Sequence, residues 1–245
     1  MKSILISIVV AVAGLSIGEA AAGVDNTAYD TLLKRHVRDG VVDYRGFQDD
    51  EALLDGYLDS LARVDPRALS DDERFAFYVN AYNAWTIKLI LSRYPDIRSI
   101  KDLGGLFTSP WKKKIARIDG RLLTLDQIEH DILRSEFRDP RVHFAVNCAS
   151  KGCPPLQSEP FSGRHLDEQL DRAARGFIND SRFNYLSGET LWVSKIFDWF
   201  NEDFGDDIIG FVMRYADPPL SDTLKRSRDR VRVKYLDYDW SLNGS

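Results

Sequence analysis

The stretch SDDERFAFYVNAYNAWTIKLILSRYP, residues 70–95, constrains the fold more than any other part of the chain. Ser70 with Glu73 three residues later reads as a capping box, and Pro95 marks the stop, so the pattern predicts one long helix. Between residues 75 and 91 nearly every position is apolar or aromatic, apart from Asn80, Asn83, Thr86 and Lys88. A helix that is apolar round most of its circumference belongs at the centre of a fold. Asn80 and Asn83, three residues apart, fall on one face and are expected to be buried. A buried amide must find hydrogen-bond partners, so this pair either stitches adjacent backbone or lines a polar pocket.

Around this helix the pattern is mixed. Residues 26–38, 50–63 and 165–179 have helical apolar spacing, and one or two helices are expected within FDWFNEDFGDDIIGFVMRYA. KKKIARIDGRLLTL predicts a hairpin turning at Asp119-Gly120, running into a helix capped by Thr124 and Gln127. RVHFAVN, residues 141–147, reads as a buried strand, with further strands near residues 191–194 and in RVRVKY before an irregular tail. Helices and short strands without regular alternation predict an α+β fold with a small mixed or antiparallel sheet.

The N-terminus has one lysine, an apolar run over residues 4–15 and an Ala20-Ala21-Ala22 exit. This is the composition of a signal peptide over residues 1–22, and the run is too short to span a bilayer. The expectation is a single domain over residues 23–245, periplasmic or secreted, with no integral membrane segment after cleavage. The formal net charge of −5 argues against nucleic acid as a partner. A small molecule or a peptide is the expected substrate, and the oligomeric state is not legible.

The only two cysteines, Cys148 and Cys153, fall in HFAVNCASKGCP. Neither these nor the four histidines show paired metal-ligand spacing, so no metal and no cofactor is expected. Export permits a Cys148–Cys153 disulfide, although so short a loop would stabilise little. The alternative is a nucleophile at Cys148, where an apolar segment gives way to Ala-Ser-Lys-Gly, including Ser150, whose free amides could hold an oxyanion. His143 is nearest in sequence, but five steps of an extended strand would span about 16 Å. His130, bordering the apolar face of its helix, is better placed as the base. Its neighbour Glu129 would diverge from it by about 100° on an α-helix, so the two could not work together without a helix end or a distortion.

The segments FAFYVNAYNAWTI, LTLDQIEHDIL, RVHFAVNCASKGCPPL, VSKIFDWFNEDFG and YLDYDWSLN, in this order, resemble the domain-of-unknown-function 547 family of bacterial exported and plant proteins. The resemblance runs over about residues 71–243. It implies a cysteine-hydrolase-like Glu-His-Cys site, with a papain- or transglutaminase-like architecture among those it allows. Carried over, the site would be Cys148, His130 and either Glu129 or Glu73, with Asn80 or Asn83 as an alternative partner for the imidazole. His143, Ser150 and Cys153 are supporting residues. The expected function is an exported cysteine-dependent hydrolase or acyltransferase acting on an amide or thioester. The alternative is a non-catalytic ligand-binding module closed by a Cys148–Cys153 disulfide.

Overall fold

The computed structural model describes residues 24–105 and 108–244, so the expected signal peptide lies outside the described residues. Helices α1 (Thr27–His36), α2 (Tyr44–Asp49), α3 (Glu51–Leu61) and α4 (Asp71–Leu91) form the first half, with the ribbon β1 (Val37–Arg38) and β2 (Val41–Val42) between α1 and α2. A second ribbon, β3 (Ala116–Ile118) and β4 (Arg121–Leu123), feeds a π-helix over Gln127–Phe137. Then come α5 (Val142–Ala145), α6 (Leu166–Ile178), β5 (Tyr185–Ser187), β6 (Thr190–Val193), α7 (Ile196–Trp199), α8 (Ile208–Tyr215), α9 (Leu220–Ser227) and β7 (Arg232–Tyr235). β6 pairs antiparallel with β5 and parallel with β7, so the three-stranded sheet is mixed and the fold is α+β. No helix among the described residues is long and apolar enough to cross a membrane.

α4 is the central helix that its sequence demands, with 14 of its 21 residues buried. Its N-terminus uses half of the expected capping box, the Glu73 N–H donating to Ser70 Oγ at 3.3 Å. The two asparagines stitch backbone. Asn80 donates to the Phe161 carbonyl (2.8 Å) and accepts from the Phe161 N–H (2.9 Å). Asn83 donates to the Ala145 carbonyl (2.9 Å) and accepts from the Asn147 N–H (2.8 Å). Each amide thus satisfies two groups of a chain segment that has no strand or helix neighbour to pair with.

The second ribbon turns at Asp119-Gly120 with positive φ at both positions, 47° and 67°, the geometry of a two-residue hairpin turn. Asp39-Gly40 does the same between β1 and β2, at 50° and 79°, a turn that short flanking strands hide from pattern reading.

RVHFAVN is not a strand. Its centre is the single helical turn α5, followed by extended chain from Val146. Pro140, with its fixed φ, starts the turn, and the amides of Val142, His143 and Phe144 donate back to the carbonyls of Asp139, Pro140 and Arg141. Arg141 anchors it with bonds to the carboxylates of Asp139, Asp167 and Asp171. A short, fully buried apolar run carries no periodicity that separates strand from helix.

Two hydrophobic clusters meet here. One gathers α1 to α4, the second ribbon and the start of the π-helix; the other gathers the end of α6, β6 and α7 to α9. α5 and α6 belong to both: Val142 and Ala145 face the first cluster and Phe144 the second, while Leu166 and Leu170 face the first and Ala174 and Phe177 the second. Replacing Asn83 by Ala strands the Ala145 carbonyl and the Asn147 N–H at this seam. We expect a loss of about 2–4 kcal/mol in urea unfolding, with Asn83→Asp recovering only the acceptor half.

Candidate functional site

A cleft of about 210 Å³ opens along the seam between the two clusters. Glu129, His130, His143, Cys148 and Cys153 all line it. Glu73, Asn80 and Asn83 do not: the two amides are committed to backbone, and Glu73 sits in the first turn of α4, packed so closely on Gly163 that a Cβ there would lie 2.6 Å from its nitrogen.

Glu129 and His130 reach the cleft together because their helix is distorted. The Thr124–Gln127 box forms reciprocally, Thr124 N–H to Gln127 Oε1 and Gln127 N–H to Thr124 Oγ1, both 3.0 Å. Two α-helical residues later the backbone winds as a π-helix. A π-helix bonds i to i+5 and turns less per residue than an α-helix, so consecutive side chains diverge less; such segments concentrate at functional sites. The objection to adjacent residues acting on one cleft therefore falls away.

The two histidines have different partners. His130 Nδ1 lies 3.1 Å from an Arg134 guanidinium nitrogen, which can only donate, and its Nε2 is 3.7 Å from Asp126. His143, on α5, is almost wholly buried and stacks on Phe200 with centroids 4.1 Å apart. Its Nε2 donates to Asp203 Oδ2 at 2.6 Å, which leaves Nδ1 as the nitrogen able to accept a proton. Asp203 also takes two bonds from Arg134, at 2.6 and 3.0 Å. Burial alone would raise the Asp203 carboxyl; the bonds from His143 and Arg134 outweigh it and hold the group well below the usual carboxylate range.

Cys148 sits in the chain just after α5, followed by Ala149 at φ 61°, a left-handed conformation unfavourable for a residue with a Cβ. Asn147 fixes this bend. Its Oδ1 accepts from the Ala149 N–H (2.9 Å) and from Asn243 (3.1 Å), while its Nδ2 donates to the Pro154 carbonyl (2.8 Å). Three of the four amides expected to hold an oxyanion are spent: Ala149 donates to Asn147, Lys151 to the Ser241 carbonyl and Gly152 to the Asp239 carbonyl. What surrounds the sulfur instead is a set of side chains. Cys148 Sγ lies 3.1 Å from Ser150 Oγ, 3.1 Å from Tyr238 OH and 3.0 Å from Cys153 Sγ, and both cysteines are free thiols.

Bonding from Cys153 is the strongest influence on Cys148; burial opposes it, and Ser150 and Tyr238 add to it, so the thiol is drawn below its ordinary value. Glu129 works weakly the other way. Burial pushes Cys153 well up and also raises Tyr238, so both keep their protons, and Cys153 Sγ accepts from the Cys148 N–H at 2.9 Å. Against the cleft, Tyr82 is raised first by burial and then by the Glu129 charge.

Tyr238 arrives from the C-terminal tail, which lies against the cysteine segment. Tyr44 OH donates to Asn243 (2.7 Å), and Ser150 bridges to Leu242. Gly152 permits the approach, since a Cβ there would stand 3.0 Å from the Tyr238 ring and the Asp239 nitrogen. Trp199 and Trp240 flank Tyr238 at 4.8 and 4.5 Å between centroids. Among the described residues no group of three or more His, Cys, Asp and Glu side chains converges as a metal site.

Residues 66–178 match the family model described as Protein of unknown function, DUF547. This segment belongs to the DUF547 family. No curated protein and no solved structure matches the chain. The DUF547 segment is shorter than the resemblance over residues 71–243 and contains Glu129, His130, His143, Cys148 and Cys153. Tyr238, Trp199 and Trp240, and the Asp203 that holds His143, lie beyond it, so the far wall of the cleft comes from chain outside the DUF547 match. None of these four residues stands in a motif that assigns it a role. The available signal was their place in FDWFNEDFG and YLDYDWSLN, two aromatic and acidic segments that already carried the resemblance.

The depressed Asp203 carboxyl has a stability consequence. A carboxyl whose pKa is lower folded than unfolded stabilises the fold above its unfolded value of about 4 and loses that contribution as pH falls through the lower folded value. Wild type should therefore exceed Asp203→Asn in thermal stability at pH 7. The gap should narrow steadily below about pH 4, as followed by circular dichroism melting.

Proposed function

We propose that this is a cysteine-dependent acyl-transfer enzyme, a hydrolase or acyltransferase, working outside the cytoplasm on an amide or thioester. The observation that carries the reading is the convergence on Cys148 of the linked Ser150 and Tyr238 hydroxyls and the Cys153 thiol, in the cleft that also holds the Asp203-bound His143. A thiolate needs either a positive neighbour or hydrogen-bond donors, and Cys148 has the second.

In this reading His143 Nδ1 takes the Cys148 proton, and Asp203 holds the ring in the tautomer that allows it and stabilises the imidazolium that forms. The sulfur attacks the carbonyl carbon, the C–O π pair moves to oxygen, and the hydroxyls of Tyr238 and Ser150, no longer needed by a thiolate, turn to that oxygen. Collapse expels the amine or thiol, which leaves with the proton from His143. Water, or a second nucleophile, then gives its proton to His143 and releases the acyl group from Cys148. His143 is preferred over His130 as base because a carboxylate, and not a guanidinium, faces its second nitrogen. Glu129 and His130 then serve substrate binding at the opposite wall.

A second reading has one observation in its favour: the 3.0 Å separation of the two sulfurs, which brings a Cys148–Cys153 disulfide and a purely binding role within small movements. p-Nitrophenyl acetate separates them. The reduced protein should form an acetyl adduct at Cys148, seen by peptide mass spectrometry, that is absent in Cys148→Ala. In His143→Gln the adduct should form at least tenfold more slowly, and in His130→Gln within about threefold of wild type. A reduced protein whose Cys148 is never acetylated would contradict the enzyme reading and leave the binding module.

A further inference from the structure

Resting on the reading of this cleft as the substrate site of Cys148, we infer that it selects a cationic substrate, an alkylammonium group held between the carboxylates of Asp126 and Glu129 and a wall of aromatic rings. The fixed charges lining the cleft are those two carboxylates; among the described residues that line it there is no lysine and no arginine. Rings from four parts of the chain close the rest: Tyr82, Trp111, Trp199, Phe200, Tyr238 and Trp240.

Trp111 and Trp199 flank Trp240 at 5.8 and 5.6 Å between centroids, so the indoles form one continuous surface. Aromatic faces attract cations through their quadrupoles, tryptophan most strongly, and beside carboxylates they discriminate against anions. Two rings of this wall already carry a cation from the chain itself. Lys101 Nζ sits 3.6 Å from the Trp240 centroid and Arg134 stacks 4.8 Å from that of Phe200, and neither lines the cleft. Its volume of about 210 Å³ is below the roughly 300–1,000 Å³ of pockets for drug-sized ligands. That suits one flexible side chain or a short amine.

The charge arrangement also gives the cation a part in the chemistry. Glu129 opposes ionisation of Cys148, and a bound ammonium would offset that charge, so substrate binding and thiolate formation favour each other. The groups facing Glu129 from other elements are Tyr82 and Cys148, and along its own helix His130 and Asp126 share the cleft.

Tryptophan fluorescence of the full chain as Cys148→Ala, titrated with n-butylammonium, n-butanol and butyrate at pH 7, tests this without any acylation. The expected result is saturable binding of butylammonium at least tenfold tighter than butanol, with butyrate weakest. Glu129→Gln in the same background should weaken butylammonium about tenfold and leave butanol unchanged. Asp126→Asn should act in the same direction. Butyrate binding as tightly as butylammonium, no saturable response to butylammonium, or no effect of either carboxylate variant would overturn the inference. Since this protein lacks the sulfur, its result is independent of whether Cys148 is a nucleophile, and failure of the acetylation test would not alter it.

Discussion

The buried amide of Asn83 is the contact on which the cysteine segment depends. It joins the central helix of the fold to the Ala145 carbonyl and the Asn147 N–H, one turn before the sulfur. Asn147 extends the same network to Ala149, Pro154 and Asn243, so one chain of side-chain amides fixes α5, the left-handed bend and the C-terminal tail. In a low-dielectric interior each of these bonds is costly to lose, which is what holds a non-glycine residue in an unfavourable conformation.

Electrostatics differs on the two sides of the cleft. Behind one wall, Arg134 and His143 meet at Asp203, and the carboxylate between them is kept ionised and positioned. On the other, Cys148 is surrounded by neutral hydroxyls and a second thiol, with Glu129 as the opposing charge. A thiolate supported by hydroxyls and a second thiol remains sensitive to any charge brought into the cleft, which a thiolate paired with a fixed cation would not be to the same degree.

Much of the scaffold was legible from local rules. The central helix, the Asp119-Gly120 turn and the Thr124–Gln127 cap all follow from residue types at fixed offsets, and the mixed small sheet from short β-branched runs. Cys148 and His130 were legible as cleft residues, the first from its place after a buried run and the second from its border position. The place of His143 was misjudged, because an apolar run of seven residues reads equally as strand or helix, and the 16 Å argument held only for the strand. The joint presence of Glu129 and His130 depended on a π-helix, for which no pattern of residue types gives a signal. Asp203 reaches His143 and Tyr238 reaches Cys148 over sequence separations of 60 and 90 residues, and only packing of the two clusters reveals them.

The central claim is that the groups around Cys148 draw its thiol below the ordinary value, and the rate of its alkylation by iodoacetamide as a function of pH measures this most directly. The account predicts a midpoint for Cys148 below the ordinary thiol value of about 8.5, rising by about one unit in Tyr238→Phe, with Cys153 unreactive over the same range. A Cys148 midpoint at or above about 8.5 that Tyr238→Phe leaves in place would contradict it.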